Sequence, residues 1–168
     1  MYTYESDTTT RDWVIENILP KARAIYPTQG RFTTFDIIYL PQERLDKNGN
    51  DLNNRERAIE IKNRHFNHDK FTTTYIERDK YEAMTASTHY VRLEAELVVK
   101  FEDGILYYNA KDLEDNFMGY EQRKAPDQHD AYNDKWSTPV KEFASIRIND
   151  KKFFTYEQIK NRNNRGTC

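Results

Sequence analysis

Hydrophobic residues along this chain keep two different rhythms. Trp13, Val14, Ile18, Ala22 and Ile25 recur at three-to-four spacing, which predicts an amphipathic helix from about residue 10 to 25. Thr8-Thr9-Thr10 offers an N-cap hydroxyl before it, and Pro20 predicts a kink or break near Leu19. Tyr26-Pro27-Thr28-Gln29-Gly30 reads as a turn. Residues 31–40 carry Phe32, Phe35, Ile37, Ile38, Tyr39 and Leu40, a strand signal. The polar stretch 41–57 contains Asn48-Gly49, a tight-turn dipeptide, so it predicts a hairpin tip leading into a second strand, Arg57–Asn63.

The rhythm then loosens. Residues 65–74 read as a polar loop and residues 75–84 as a short helix. Val91, Leu93, Ala95, Leu97, Val99 and Phe101 alternate, which predicts a strand over 90–101. Glu102-Asp103-Gly104 is its turn and residues 105–110 its antiparallel return. Residues 112–137 hold no period and read as a long loop or insertion. A last strand is expected over 140–148, a short helix from near Thr155, and a frayed tail over 160–168.

Composition narrows the class. At 168 residues the chain has the length of one domain. Mean hydropathy is low at −1.02, yet aromatic residues reach 14%, which points to a folded domain with long polar loops rather than a disordered chain. A net charge of −2 argues against a broadly basic nucleic-acid binder. It leaves room for a site whose own metal supplies positive charge. Cys168 stands alone, so neither an internal disulfide nor a cysteine zinc site is expected, and a reducing cytoplasmic setting is. No membrane span and no signal peptide are expected, because no apolar run is long enough for the first and the N-terminus lacks the pattern of the second.

Candidate chemistry sits on the strand Ala58-Ile59-Glu60-Ile61-Lys62-Asn63-Arg64. Strand alternation sends Glu60, Lys62 and Arg64 to one face and Ile59 and Ile61 to the other. Asp36 lies on the preceding strand among apolar neighbours. A buried acid needs a partner. Two acids and a lysine on adjacent strands are suited to holding a divalent cation beside a phosphate. Arg55, Arg57, Arg64, Lys70, Arg78 and Lys80 surround the motif, and they read either as solubilising charge or as a cluster that favours phosphates. His65 and His68, three apart, would make a metal pair only on a helix, and on a loop they read as solvated.

The order helix, Asp36 strand, hairpin tip, Glu60–Lys62 strand and helix resembles the PD-(D/E)xK superfamily, the restriction-endonuclease-like nucleases. Asp36 in Thr34-Phe35-Asp36-Ile37-Ile38 and the pair in Glu60-Ile61-Lys62 carry the resemblance. Residues 70–81 and the 101–108 hairpin are similar to small phage and bacterial members. Phe35 stands where the family name has proline, and the resemblance covers about residues 8–110.

The resemblance implies an α/β (α+β) fold, a mixed sheet flanked by helices. It implies Mg²⁺ or Mn²⁺ on Asp36, Glu60 and the Ile61 carbonyl, Lys62 beside the attacking water, and Glu16 as the first-helix acid. Arg64, Asn63, Tyr75 and Lys80 would contact the substrate, expected to be DNA. Members that cut both strands imply a homodimer. A phage-encoded member would act in the host cytoplasm. Two other readings stay open: a nuclease-fold module without turnover that binds nucleic acid, nucleotide or protein in an accessory or counter-defence role, and an unrelated α+β domain whose charges are solvated surface.

Overall fold

The computed structural model describes residues 4–28, 35–90, 94–124, 128–130 and 135–165. The chain runs α1 (Tyr4–Ile18), β1 (Ala24–Pro27), β2 (Ile37–Leu40), β3 (Arg57–Asn63), a 3-10 turn (His68–Lys70), β4 (Thr73–Glu77), α2 (Arg78–Tyr90), β5 (Glu94–Lys100), β6 (Gly104–Asn109), α3 (Ala110–Asp115), β7 (Phe117–Lys124), β8 (Gln128–Asp130), β9 (Lys135–Ser137), β10 (Val140–Arg147), a second 3-10 turn (Asp150–Lys152), β11 (Phe153–Thr155) and α4 (Tyr156–Arg165).

Six strands form the main sheet in the order β1-β2-β3-β5-β6-β11. The β3–β5 pair is parallel and the others are antiparallel. A parallel neighbour requires a crossover, and the chain supplies one through β4 and α2. Alternation splits the sheet into two faces. Ile37, Tyr39, Ile59 and Val98 meet Val14 and Leu19 of α1 and its C-terminal end. Leu97, Val99, Leu106 and Tyr108 meet Tyr81 and Met84 of α2 and Leu113 of α3. The expected class, a mixed sheet flanked by helices, is the one the chain forms. From Ala95 to Val99 no residue is more than 3% exposed, so β5 is covered on both faces.

A second sheet, β4-β10-β7, stands beside the first. Ile76, Ala144 and Ile146 turn from it into the α2 core. This sheet corrects two expectations. Residues 75–84 are not one helix: the β-branched and aromatic run Thr73–Ile76 pairs with β10, and α2 begins only at Arg78. The stretch 112–137, read as a loop, contains the end of α3 and all of β7, β8 and β9.

Smaller differences have plain causes. The first helix begins earlier, at Tyr4, and ends at Ile18 ahead of Pro20, after which Ala24–Pro27 extends along β2. Thr155 and Gln158 reciprocally cap the start of α4 through their side chains, and that helix runs to Arg165 where a frayed tail was expected from 160, of which residues 166–168 lie outside the described residues. Asn48-Gly49 does form the tip: Gly49 has φ +82°, and Asp46 accepts from the backbone N–H groups of Asn48 and Asn50.

One glycine is held by packing rather than by its torsion. A Cβ on Gly104 would overlap the Phe154 carbonyl oxygen and lie 2.6 Å from the Phe153 ring, where β11 closes on β6. Gly104→Ala is therefore expected to cost about 1–3 kcal/mol by overpacking, read as a lower denaturation midpoint with β11 and α4 loosened first.

The far end of β3 and β5 holds a buried carboxylate. Glu96 is 3% exposed. It accepts from the Tyr39 hydroxyl at 2.7 Å and from Arg57 at 3.2 Å. Burial pushes its carboxyl up, against the pull of Tyr107, Tyr39 and Arg57. Arg57 also meets Glu94 at 3.1 Å, so this arginine serves an internal cluster and not the expected phosphate face.

Candidate active site

Asp36 immediately precedes β2 rather than lying on a strand as expected, and the backbone fixes it from both sides; residues 31–34 of the expected strand lie outside the described residues. Its N–H donates to the Ile59 carbonyl at 2.8 Å and its carbonyl accepts from Thr28 at 3.0 Å. The β2–β3 ladder reaches Ile37↔Ile59. Beyond it β3 continues without β2. There the Asp36 carboxylate takes over, and Oδ2 accepts the Ile61 N–H at 2.7 Å. A strand residue sends its N–H and C=O to the same edge. The Ile61 carbonyl therefore also faces the space β2 has vacated.

Glu60 lies between Ile59 and Ile61 on the α2 face of β3, 1% exposed. Lys62, next on that face, places Nζ 2.8 Å from Oε1. Lys80, from the first turn of α2, places Nζ 2.5 Å from the same oxygen. Oε2 is buried and has no hydrogen-bond partner among the described residues. An orphaned buried carboxylate oxygen is costly, and it is the donor a hard cation takes. The residues present thus fit a divalent metal: one unshared oxygen of Glu60, the Asp36 carboxylate and the Ile61 carbonyl edge.

The charges respond to one another. Burial pushes the Glu60 carboxyl above the ordinary glutamate range, with Asp36 adding to the rise and Lys62 and Lys80 opposing it. Burial disfavours the Lys80 ammonium, but Glu60, Asp36 and Glu77 outweigh it, so Lys80 is held above the ordinary lysine value. Glu77, at the end of β4, meets Lys141 of β10 at 2.9 Å. Burial would raise its carboxyl, and the Lys141 bond with the charges of Lys62, Lys141 and Lys80 brings it below the usual range. Glu77 and Lys141 border the site and were not singled out in the sequence. Their signal was hidden because 75–84 read as helix, which removes Glu77 from a strand end.

The expected site residues divide. Asp36, Glu60, Lys62 and Lys80 come together, with Ile61 between them. Glu16 does not join them in any described contact. It is exposed near the C-terminal end of α1, where Asn17 receives Asn163 of α4. The described link from α1 toward Asp36 comes from mid-helix, where Arg11 donates to the Thr28 carbonyl at 3.1 Å. Arg64 ties β3 to β4 by donating to the Tyr75 carbonyl at 2.8 Å. Asn63 ends β3, and its carbonyl accepts from Arg64. Tyr75 lies on β4 with its ring 3.8 Å from the Arg123 guanidinium carbon. Of the other surrounding cations, Lys70 lies over Phe66 and Phe71, and Arg78 pairs with Glu82 and Glu142.

A separate group gathers at the β5–β6 turn. His68, Asp69 and Asp103 offer ligand atoms all within 4.8 Å of one another, a set that could hold a metal. His68 is not the solvated loop residue expected. Nδ1 lies 2.6 Å from Asp103, the ring stacks on Phe153 at 3.6 Å, and the His68 backbone N–H donates to the Asp103 carboxylate at 3.0 Å. Burial raises the Asp103 carboxyl, and the two His68 bonds more than reverse it, leaving it below the ordinary aspartate range. A depressed folded value stabilises above the unfolded value and is lost as pH falls through the folded one. Asp103→Asn is therefore expected to be less stable than wild type above roughly pH 4 and to converge with it in stronger acid, read by denaturant midpoints across pH.

No family model matches the chain, and no curated protein matches it in sequence. Among solved structures, it is similar to the 1.6 Å structure of Archaeoglobus fulgidus Hjc, a Holliday junction resolvase from an archaeal hyperthermophile. The two share 17% identity over 82% of this chain and 86% of that one, with a TM-score of 0.42. Likeness at that level assigns no role to any residue. Among the described residues, no helix is long and apolar enough to cross a membrane.

Proposed function

We propose that this protein is a metal-dependent nuclease of the restriction-endonuclease-like type that hydrolyses DNA phosphodiester bonds. The observation that supports the reading best is Glu60. A carboxylate 1% exposed, with one oxygen shared by two lysines and the other orphaned, is costly for a fold to keep without a use. Asp36 stands beside it, fixed by its bond to Ile61.

A bound Mg²⁺ or Mn²⁺ would lower the pKa of a coordinated water and offset charge on the scissile phosphate. The chain's own residues do the rest. Asp36 and Glu60 present oxygens, and Asp36 also holds Ile61 in place. Lys62 is tethered by Glu60 with its ammonium toward the site. From there it can orient the attacking water and stabilise charge as it grows on the phosphoryl oxygens. Lys80 approaches from α2, on the same Glu60 oxygen as Lys62, and could meet a neighbouring phosphate. Glu16 keeps no role in this reading.

The test is cleavage of plasmid and single-stranded DNA with Mg²⁺ or Mn²⁺ against EDTA, for wild type and Lys62→Ala. Metal-dependent nicking that falls in the variant is the expected result. Equal activity of the two would remove Lys62 from the site.

One observation favours a second reading. Lys62 and Lys80 already compensate Glu60, so a module that binds a phosphate without metal is consistent with the same side chains. Lys80→Met separates the two. Removing a cation from Glu60 should tighten Mn²⁺ binding about tenfold or more by calorimetry if a metal belongs there, whereas the second reading gives no Mn²⁺ heat in either protein.

A further inference from the structure

The β4-β10-β7 sheet has two faces. One, with Ile76, Ala144 and Ile146, is core. The other begins at the candidate site and leads away from it. Glu77 feels the charges of Lys62 and Lys80 and is bonded to Lys141. Lys141 stands directly opposite Arg123 on β7. Like charges facing each other across strands are unfavourable, and here each has a local remedy. Lys141 has Glu77, and Arg123 lies 3.8 Å over the Tyr75 ring. The Tyr75 hydroxyl is itself held by Thr73 at 3.3 Å. The result is a fixed tyrosine ring, an exposed guanidinium stacked on it, and a lysine between that stack and the proposed metal site.

We propose that this face is the track on which an unpaired DNA strand runs out of the site, with Tyr75 and Arg123 forming a platform for one base and Lys141 meeting a phosphate between platform and site. The inference rests on the phosphodiester reading above and deepens it by naming the form of the substrate. A guanidinium plane on a tyrosine is a two-tier stack to which a base adds a third tier. Only an unpaired or splayed base offers its flat face to such a stack. A paired duplex presents phosphates and groove edges instead. Lys141 is 38% exposed at its side chain, so it can leave Glu77 for a phosphate without unpacking the sheet.

The experiment is fluorescence anisotropy of the full chain in EDTA, with a labelled single-stranded DNA oligonucleotide and the matching duplex. Mn²⁺ calorimetry is run on the same preparations. Wild type is expected to bind the single strand more tightly than the duplex. Arg123→Ala, on an exposed strand, should weaken single-strand binding about tenfold, as should Tyr75→Leu, with Mn²⁺ heats unchanged. Lys141→Ala should reduce the salt dependence by roughly one unit of slope. If Tyr75→Leu fails to fold, Arg123→Ala decides. Unchanged binding in Arg123→Ala, or a duplex bound as well as the single strand, overturns the track. Arg123-dependent binding without any Mn²⁺ heat would leave the track standing and overturn the metal reading alone.

Discussion

Glu60→Gln is expected to lower metal-dependent DNA cleavage by roughly 10²–10³-fold while the protein stays folded. Glutamine fills the same space on β3 but carries no charge for a cation. It also releases Lys62 and Lys80, which both lie on Oε1. The loss should therefore appear in turnover and in Mn²⁺ affinity together. Alanine at the same position should be worse for stability, since it strands two partly buried ammonium groups. Breaking a buried ion pair from one side costs about 3–5 kcal/mol, and the sites here are less buried than that limit. Steady-state cleavage, denaturant midpoint and calorimetry on the two variants separate the contributions. A Glu60→Gln protein with wild-type cleavage would remove Glu60 from the chemistry.

Leu97→Ala is expected to destabilise the fold by about 2–5 kcal/mol through lost burial and the cavity left behind. Leu97 is fully buried on β5, among Met84, Val99, Leu106 and Tyr108, and a domain holds only about 5–15 kcal/mol in total. It also pairs in register with Glu60. A void there would relax the packing beside the carboxylate, so cleavage should fall by more than the unfolded fraction explains. The measurement is a urea midpoint together with activity at a temperature where the variant is fully folded. A cost below about 1 kcal/mol would mean that the neighbours collapse into the space.

Parts of this structure are legible in the sequence for identifiable reasons. The β3 strand reads correctly because its β-branched and charged residues alternate without interruption, and the β5–β6 pairing because an acidic-glycine turn divides two apolar runs, although Tyr90, expected in the first of them, ends α2 and residues 91–93 lie outside the described residues. The convergence of Glu60 with Lys62 follows from period alone. Lys80 reaches Glu60 because α2 starts at Arg78, which places it in the first turn. The sequence does not announce that start, since Thr73–Glu77 and the helix after it have similar polarity. The β7 strand is hidden for a related reason. From Tyr120 to Lys124 it is exposed throughout, so no alternation marks it; β10 is foreseen as the strand over 140–148, but without β7 beside it the Tyr75–Arg123 stack does not come into view. Glu96 falls inside an alternating strand that suggested nothing beyond sheet. Its hydroxyl partner Tyr39 is 57 residues away, and only the β2-β3-β5 order brings them together.

Glu16 is a different case. The family resemblance puts an acid on the first helix, and the positions of Asp12, Glu16 and Ile18 along it do not settle which way Glu16 faces. The contacts of Arg11 with Thr28, and of Thr28 with Asp36, link the middle of α1 to the start of β2.

The central claim is that Asp36 and Glu60 share a divalent cation. A crystal soaked in Mn²⁺ and measured for anomalous scattering tests it most directly. A shared cation would give a peak within roughly 2.0–2.6 Å of both the Asp36 carboxylate and Glu60 Oε2, with Lys80 withdrawn from Glu60. A crystal in which Mn²⁺ settles only beside His68, Asp69 and Asp103, leaving Lys62 and Lys80 on Glu60, would contradict it.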